Sequence, residues 1–475
     1  MNRARWSAAL LGAAVMGTAL TGQSAAADTA RGSTGPDTLT IRHELRIGTL
    51  GRTHAYYDAC RASAHGIRLS LGCQSLVVAR SATGSDAASP MTTTTPAGYS
   101  PAELATAYHL PAASSSTRTI AIVGVGAYPS LAADLANYRG QYGLPACTTA
   151  NGCLRITDYK GGPALAANPS MASVEESYAE ETALDVDMAS AACPSCKIDM
   201  VQIPMDFTKL LLAGYGLPDA LAADFGTAVN EAAALGASAV SMSYGLPGAS
   251  GHAAIETGAT AKALHHPGMA VVASSGDSGY TGTAQLWPAR LPWVTAAGGT
   301  TLKTTDGGAT YTNSAWGSLF TPRGQTTAKW VGAGSGCATD LPGAQGQPTA
   351  VAALCGGHRA VADVSADADP LTGVAVYDTY TPDSGTGGGW TVVGGTSAAS
   401  PYLAGLYARA GNLASVDGPN TLYAAPSGTL TDVTGGSNAQ HGAADCATYG
   451  PALCTGVPGW DGVTGIGTPN GLGAF

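Results

Sequence analysis

The chain has 475 residues, of which 45% are hydrophobic, enough to fill one large α/β domain with extensions or two to three average domains. Its formal net charge of -10, without any stripe of basic residues, argues against a nucleic-acid partner. Only 11% of the residues are charged, against about 25% in an average globular protein. Because few carboxylates can lose their charge on acidification, we expect the fold to resist unfolding by acid.

The N-terminus has the features of a secretory signal peptide, predicted over residues 1–27. Arg3 and Arg5 form the basic region, an apolar run follows over 8–20, and Ser24–Ala27 offers a cleavage site among small residues. The apolar run is too short and too rich in alanine and glycine to span a bilayer, and no later segment reaches the necessary length. We therefore expect a protein that is secreted, extracellular and not inserted in a membrane.

Residues 28–95 are predicted to form a pro-segment. It contains a cysteine pair, an apolar strand over Ser75–Ala79 and a Ser/Thr-rich linker over 81–95. A linker of this composition is flexible and open to proteases, so we expect the mature N-terminus between Ala79 and Tyr99. The same features also fit a small binding domain joined to a larger one.

The ten cysteines indicate local disulfide bonds, because their number is even and they lie as close neighbours in an exported chain. Cys193 and Cys196 offer an alternative as a redox pair or half of a zinc site, although no second C-x-x-C accompanies them. The expected pairs are Cys60 with Cys73, Cys147 with Cys153, Cys193 with Cys196, Cys337 with Cys355, and Cys446 with Cys454.

From Tyr99 onwards, apolar strands alternate with helical segments, which indicates a largely parallel sheet covered on both faces. A first helix over 101–108 begins with the capping residues Ser100 and Glu103. Further helices are predicted over 131–142, 180–189, 221–235 and 253–265, and strands over 119–123, 197–201, 238–243, 270–273 and 294–297. Ligands of such sheets bind beyond the carboxyl ends of the strands.

The segment Gly394–Pro401 presents one hydroxyl, that of Ser397, on a turn of small residues before an apolar helical run. Unpaired N–H groups at a helix start can stabilise an oxyanion if this serine attacks a carbonyl group. An ordinary helix N-cap followed by a buried helix is the alternative interpretation.

Carboxylates accompany this serine in the sequence. Glu181 and Asp185 lie four residues apart on a predicted helix, where they share one face and tend to hold a proton between them. The alternative is a solvated acidic helix face. Asp277 follows the predicted strand over 270–273, at a strand end where sites occur, although aspartate is also an ordinary turn residue. None of the nine histidines has the His-Gly-Thr setting of a subtilisin, so a carboxylate would have to activate Ser397.

The chain resembles the sedolisin family, the serine-carboxyl peptidases that share the subtilisin fold. The resemblance runs from about Tyr99 to the C-terminus. It rests on the motifs Glu181-x-x-Leu184-Asp185, Ser275-Gly276-Asp277-Ser278-Gly279, Asp363-Val364-Ser365-Ala366-Asp367-Ala368-Asp369-Pro370-x-Thr372-Gly373, Gly395-Thr396-Ser397-x-x-x-Pro401 and Gly459-Trp460-Asp461-x-x-Thr464-Gly465-x-Gly467.

This resemblance implies an α/β fold for residues 96–475, a subtilisin-like three-layer sandwich with a mainly parallel central sheet. It implies that Ser397 is the nucleophile and Glu181 its general base. It further implies that Asp185 orients Glu181 and that Asp277 is the oxyanion donor.

The resemblance also implies a Ca²⁺ site in a C-terminal loop. Asp432 and Asp461 would supply carboxylates, and the carbonyl oxygens of Val433, Val457 and Gly459 would supply further ligands, since this hard ion prefers oxygen. A loop pinned by a disulfide without metal is the alternative.

Two features of the sequence qualify the resemblance. Tyr244 stands where the family often has tryptophan, at a position expected to line the substrate cleft, and the N-terminal region is short for a family pro-domain. The acidic run Asp363–Asp369 lacks the glycine and final glutamate of an EF-hand and is predicted to be a turn near the active site.

We therefore predict a secreted, acid-acting serine-carboxyl endopeptidase that forms an acyl-enzyme on Ser397 and binds Ca²⁺. Its partners would be peptide and protein substrates, with no nucleic acid and no membrane, and the chain would be a monomer. Acid is expected to favour activity because an oxyanion donor such as Asp277 has to hold a proton. The alternatives are an inactive calcium-stabilised binding protein and a subtilisin-type Ser/His/Asp peptidase.

Overall fold

The computed structural model describes residues 55–58, 60–64, 67–70, 72–79, 95–112, 115–247, 249–306, 308–322, 327–380 and 388–475. The predicted signal peptide and nearly all of the predicted linker lie outside these residues. The strands are β1 (Ala55–Asp58), β2 (Arg61–Ala64), β3 (Ile67–Ser70), β4 (Leu76–Ala79), β5 (Thr119–Val125), β6 (Leu154–Asp158), β7 (Lys197–Ile203), β8 (Ala239–Met242), β9 (Ala270–Ser274), β10 (Ser278–Tyr280), β11 (Thr295–Thr304), β12 (Tyr311–Ala315), β13 (Gly317–Pro322), β14 (Lys329–Pro342), β15 (His358–Val361), β16 (Val364–Asp367), β17 (Val374–Asp378), β18 (Gly389–Gly394), β19 (Leu430–Thr431) and β20 (Thr468–Pro469).

The α-helices lie between these strands or follow them. They are α1 (Pro101–Ala107), α2 (Leu131–Gln141), α3 (Ala172–Ala192), α4 (Phe207–Gly214), α5 (Asp219–Ala234), α6 (Ala253–Glu256), α7 (Ala259–Lys262), α8 (Thr349–Leu354), α9 (Thr396–Ala410) and α10 (Asn420–Tyr423). Among the described residues, no helix combines the length and the apolar character that crossing a bilayer requires.

The central sheet has the strand order β12-β11-β9-β8-β5-β7-β6, and β16 also pairs with β11. All of these neighbours are parallel except β12, which is antiparallel to β11. Because β8 and β9 are parallel neighbours, the residues that follow them reach the same edge of the sheet. Ser243 and Asp277 follow these two strands and are therefore brought to one edge.

Successive residues of the central strands point into two different cores, as the period of two in a strand requires. In β5, Ile120 and Ile122 belong to one core, and Ala121 and Val123 belong to the other. Residues of α1, α2, α3 and α9 close the first core, and residues of α4, α5, α6 and α7 close the second. The predicted three-layer α/β sandwich with a mainly parallel central sheet is therefore confirmed.

A second sheet has the order β10-β14-β13-β1-β4-β18-β17, with β15 paired to β14. Its two middle strands, β1 and β4, come from the predicted pro-segment. β1 is parallel to β13 and antiparallel to β4, and β4 is antiparallel to β18. The N-terminal region thus fills the space between β13 and β18, and β18 leads directly to Ser397.

Two predicted elements differ in the structure. The helix expected over 253–265 is divided into α6 and α7, because Gly258 between them has an extended backbone with φ -82° and ψ -155°. The prediction of a turn over Asp363–Asp369 is wrong for the middle of this range, because Val364–Asp367 forms β16 and pairs with β11. An open edge of β11 and the alternation of apolar Val364 and Ala366 favour a strand there.

All five expected disulfides are present, and the Cys193–Cys196 bond leaves no thiolate of this pair to bind zinc. The predicted capping box of α1 is also present. The Ser100 hydroxyl accepts from the Glu103 N–H, and the Glu103 carboxylate accepts from the Ser100 N–H. These local features follow from short sequence spacings, which is why they were predictable.

Candidate active site

Ser397 lies in the first turn of α9, immediately after the end of β18. Gly395 makes the bend between the strand and the helix with a φ of 103°, in the left-handed region that favours glycine. A side chain at Gly395 would also clash with the carbonyl oxygen of Gln74. The buried Ser397 hydroxyl donates to the carbonyl oxygen of Ser243 at 3.2 Å and accepts from the N–H of Gln74 at 3.1 Å.

The predicted carboxyl pair lies on α3, and both side chains are fully buried. Glu181 and Asp185 therefore do not form the solvated helix face that was the alternative. Oε2 of Glu181 accepts from the Ser75 hydroxyl, and Oδ1 of Asp185 accepts from the Ser243 hydroxyl at 2.5 Å. Each carboxyl is thus held by a serine hydroxyl beside Ser397.

Burial raises the pKa of Glu181 to about 7, although nearby serine hydroxyls, that of Ser75 first among them, oppose the shift. Burial also raises the pKa of Asp185, and the charge of Glu181 raises it further. Two carboxyls in this position favour one shared proton, because a second negative charge would be buried beside the first. The arrangement can accept or return a proton at a pH where an exposed carboxyl would be fully ionised.

Asp277 lies just beyond β9, as predicted. Its Oδ1 accepts from the N–H of Thr396 at 2.8 Å and from the Thr396 hydroxyl at 2.9 Å. A Cβ placed on Gly395 would meet both Oδ2 of Asp277 and the carbonyl oxygen of Gln74, so these two oxygens face the same point. A protonated Asp277 at this position is suited to donate to an oxygen that gains negative charge.

A peptide segment from the N-terminal region, Gly72–Val77, occupies the site between β8 and β18. The N–H of Gly245 donates to the carbonyl oxygen of Gly72 at 2.5 Å, and the N–H of Gln74 donates to the carbonyl oxygen of Ser243 at 3.1 Å. On the other side of Gln74, the segment pairs antiparallel with the last two residues of β18. An extended peptide backbone therefore passes directly over Ser397.

The carbonyl group of Gln74 is the part of this segment nearest to the catalytic candidates. Its oxygen accepts from the N–H of Ser397 at 2.8 Å. Ser397, Glu181 and Asp277 thus lie around the Gln74–Ser75 peptide group, and Asp185 is joined to them through Ser243. The prediction missed Gln74, Ser75 and Ser243. Ser243 is the last residue of a predicted parallel strand, which was a usable signal, whereas nothing in the sequence near Gln74 indicates that this segment reaches the site.

No histidine of the described residues is hydrogen-bonded to Ser397. The six described histidines have their ring contacts elsewhere, at His109, His252, His265, His266, His358 and His441. His43, His54 and His65 lie outside the described residues. Within the described structure, a subtilisin-type histidine base is therefore not available to Ser397.

The side chain of Tyr244 does not line the cleft, contrary to expectation. It is 2% exposed, and its ring stacks on Tyr178 with ring centres 6.1 Å apart. Its hydroxyl accepts from the N–H of Val125 at 3.3 Å. Only the backbone of Tyr244 faces the cleft, where it forms a bridge to Cys73. Burial of the large aromatic ring in the second core decides its direction.

The residues predicted to bind Ca²⁺ lie in two segments that the structure brings together. The N–H of Gly459 donates to Oδ2 of the exposed Asp432 at 3.0 Å. In the described part of the chain, the carbonyl oxygens of Val433, Val457 and Gly459 accept no backbone hydrogen bond. Carbonyl oxygens of this kind, beside a carboxylate, suit a hard cation.

Asp461, the second carboxylate of this set, is completely buried. Its Oδ1 accepts from the N–H groups of Val463 and Thr464 at 3.0 and 2.9 Å, and its Oδ2 accepts from the Thr464 hydroxyl at 2.8 Å. These bonds fix the orientation of the carboxylate and use both acceptor sites of Oδ1, so Oδ2 is the oxygen that could contact a cation. The atoms that this loop offers to a metal are carboxylate and carbonyl oxygens, which are the ligands that Ca²⁺ prefers.

Comparison with known proteins gives related sequences and a related fold, although no family model matches the chain. The chain is similar to kumamolisin of Bacillus sp. (strain MN-32), with 30% identity over 397 residues, or 79% of this chain and 63% of kumamolisin. It is also similar to sedolisin of Pseudomonas sp. (strain 101), with 35% identity over 188 residues, or 38% of this chain and 28% of sedolisin. The matches thus span less than two thirds of the length of either relative.

Among solved structures, the fold is similar to that of Pseudomonas sedolisin complexed with two molecules of pseudo-iodotyrostatin. The TM-score is 0.57 at 24% identity, and the match covers 79% of this chain and 96% of that one. At 24% identity, this structural similarity shows a shared fold and nothing more.

Proposed function

Because this chain belongs to the sedolisin family of serine-carboxyl peptidases, we propose that it is a secreted endopeptidase that hydrolyses peptide and protein substrates in acid. One observation carries most of the proposal. A peptide carbonyl oxygen, that of Gln74, accepts from the N–H of Ser397 at 2.8 Å, with the carboxyls of Glu181 and Asp277 beside this peptide group and Asp185 behind Ser243. A site that already holds a peptide bond in this way is suited to cleave one.

In the proposed reaction, the Ser397 oxygen attacks the substrate carbonyl carbon while Glu181 takes its proton. The N–H of Ser397 and a protonated Asp277 hold the oxyanion that forms. Asp185 shares a proton with Glu181 and is itself fixed by the Ser243 hydroxyl. Glu181 then gives its proton to the leaving amine, and water hydrolyses the acyl-enzyme on Ser397.

The dependence on acid follows from Asp277. An ionised Asp277 would repel the developing oxyanion, so activity should fall as the pH rises and this carboxyl loses its proton. The Glu181–Asp185 pair requires one shared proton, which burial helps to retain. Both requirements favour acid over neutral solution.

Two further features belong to the proposal. Ca²⁺ would be held by Asp432, Asp461 and the carbonyl oxygens of Val433, Val457 and Gly459, where it would join the two segments of the C-terminal loop. Residues 28–95 would be a removable pro-segment, and the mature protein would be a monomer. The pairing of β4 with β18 and the burial of Leu76 and Val77 support a role of this segment in keeping the enzyme inactive.

The test is hydrolysis of casein by the secreted protein between pH 3 and pH 8. We expect activity in acid that Ser397→Ala abolishes and that Ser415→Ala, a change of an exposed serine, leaves intact. No hydrolysis by the unmodified protein would favour a calcium-stabilised binding protein. Full activity of Glu181→Gln with a maximum near neutral pH would favour a histidine base.

A further inference from the structure

The segment Gly72–Val77 lies in the cleft as a substrate would, with the Gln74–Ser75 bond at the nucleophile. Residues before this bond pair with the loop after β8, and residues after it pair with the end of β18. Strand pairing on both sides fixes the register of a bound peptide. The register places the carbonyl oxygen of Gln74 against the N–H of Ser397, and the N–H of Gln74 against the Ser397 hydroxyl.

The side-chain amide of Gln74 is held by hydrogen bonds, and its oxygen meets a backbone N–H group of the enzyme. Its Oε1 accepts from the N–H of Asp277 at 2.9 Å, and its Nε2 donates to the carbonyl oxygen of Gly72 at 2.9 Å. Gly245 and Gly276 flank this amide, since a Cβ at either position would lie within 4 Å of one of its polar atoms. The pocket therefore admits a side chain of this length and offers its oxygen a hydrogen bond.

We propose that the Gln74–Ser75 peptide bond is a self-processing site, cut by Ser397 of the same chain, and that the pocket at Asp277 selects glutamine before the cleaved bond. This inference rests on the proposed peptidase activity and adds to it the first bond cut and a substrate preference. The expected new N-terminus is Ser75, upstream of the linker in which the sequence alone placed maturation.

The cleavage consumes one water molecule. The Ser397 oxygen forms a bond to the carbonyl carbon of Gln74, its proton passes to Glu181, and the carbonyl oxygen takes the electron pair of the double bond. When this pair returns, the bond between Gln74 and the nitrogen of Ser75 breaks, and Glu181 gives the proton to that nitrogen. Water then attacks the ester, which restores Ser397 and leaves a carboxyl group on Gln74.

The Ser75 hydroxyl explains how the uncut chain can persist. It donates to Oε2 of Glu181, the carboxyl with which the Ser397 hydroxyl also interacts, and the Ser397 hydroxyl donates to the carbonyl oxygen of Ser243. The bound segment thus competes with Ser397 for one oxygen of the base that would cut it. Ser75 acts as a positioning residue that slows its own release.

The Cys60–Cys73 disulfide lies entirely on the side of the segment that leaves. It ties Cys73, the residue before Gln74, to Cys60, and the hairpin β2–β3 lies between them. Cleavage after Gln74 would therefore release the N-terminal fragment without any covalent link to the peptidase. Only strand pairing and side-chain packing would retain it.

The test follows the full-length protein after transfer from pH 7 to pH 4, with N-terminal sequencing and intact mass at timed intervals. We expect a product that begins at Ser75, and none from Ser397→Ala. Gln74→Leu should form it at least about tenfold more slowly, since the hydrogen bond from Asp277 is lost. Gln141→Leu, at an exposed glutamine of α2, is the matched control and should not change the rate. Ser75→Ala should release Glu181 and process several-fold faster.

Hydrolysis of casein is measured in the same samples, which separates the two proposals. Casein cleavage that depends on Ser397, with mature N-termini only between Ala79 and Tyr99, would overturn processing at Gln74. Unchanged processing of Gln74→Leu would overturn the selection of glutamine. A quenched peptide of residues 70–79 carrying Cys73→Ala, compared with its Gln74→Leu form, tests the same preference without the fold of the full chain. Loss of both activities in the unmodified protein would overturn the peptidase function itself.

Discussion

Replacing Asp378 by asparagine should stabilise the fold at neutral pH and leave its stability in acid almost unchanged. Asp378 ends β17 in a buried cluster with Asp134 and Tyr128. The Tyr128 hydroxyl lies 2.8 Å from Oδ2 of Asp134 and 2.9 Å from Oδ1 of Asp378. A tyrosine has one hydroxyl hydrogen, so one of these two contacts needs a hydrogen from a carboxyl group. Asparagine would stay neutral there at every pH, with its amide oxygen accepting from the N–H of Tyr380 as Oδ1 of Asp378 does.

The magnitude follows from the pKa of Asp378. Burial raises it from 3.8 to about 7, against opposing hydrogen bonds from Tyr380 and Tyr128. The pKa of Asp378 is higher in the folded state than in the unfolded state. The contribution of protonated Asp378 to the free energy of unfolding is therefore complete below about pH 4 and is lost as the pH rises towards 7. Each pH unit in this window lowers the free energy of unfolding by about 1.4 kcal/mol, or by about 4 kcal/mol in total.

The assay is urea unfolding followed by circular dichroism at pH 4, 5.5 and 7, in a Ser397→Ala background that cannot digest itself. Buried carboxyls whose raised pKa values do not depend on Asp378, such as Asp367 and Asp369, contribute equally to both proteins, so the difference reports Asp378 together with its effect on the neighbouring Asp187. Asp306→Asn, at an exposed carboxyl, is the control and should not alter the slope above pH 5. Parallel stability curves for Asp378→Asn and its parent from pH 4 to pH 7 would refute the reasoning.

Asp277→Asn keeps a neutral donor, so its hydrolysis of casein should persist to higher pH than that of the unmodified protein. Asp277→Ala has no donor and should lose about 10²–10³-fold in kcat. Equal pH profiles for Asp277→Asn and the unmodified protein would contradict this role of Asp277. Excess EDTA should lower the Tm, by an amount that corresponds to about 2.7 kcal/mol if free Ca²⁺ was at 100 times its Kd, and Asp461→Ala should reproduce the shift. An unchanged Tm, with no calcium in the purified protein, would remove the site. Ser243→Ala should reduce kcat about tenfold and move the acid limb of the pH profile, because Asp185 loses its donor; a change in KM alone would indicate a different role.

The sequence was sufficient for features that depend on local spacing. The four-residue separation of Glu181 and Asp185 placed both on one side of α3, and the strand before Asp277 placed that carboxyl at the edge of the sheet. The parallel alternation of strands and helices then brought these residues near Ser397. Nearest-neighbour cysteine pairing was correct for the same reason, since short loops are the simplest to close.

Long-range placement was not available from the sequence. Gln74 lies 323 residues from Ser397 along the chain, and its contact depends on how β4 is inserted between β1 and β18. Nothing in the composition of the N-terminal region distinguishes a strand of the main sheet from a separate small domain. The direction of the Tyr244 ring was likewise decided by packing against Tyr178 and Phe225, which no local pattern specifies.

The position of β1 and β4 inside the second sheet has a consequence for solubility. Cleavage after Gln74 lets β1 leave and keeps β4 paired to β18, so β13 and β4 then face each other as two bare edges, and each presents unpaired N–H and C=O groups. Such edges bind any extended chain, which suits a peptidase that takes unfolded substrates, but they also pair with edges of other copies. The uncleaved chain is therefore the form better protected against aggregation, and the mature enzyme should aggregate more readily when no substrate occupies the slot.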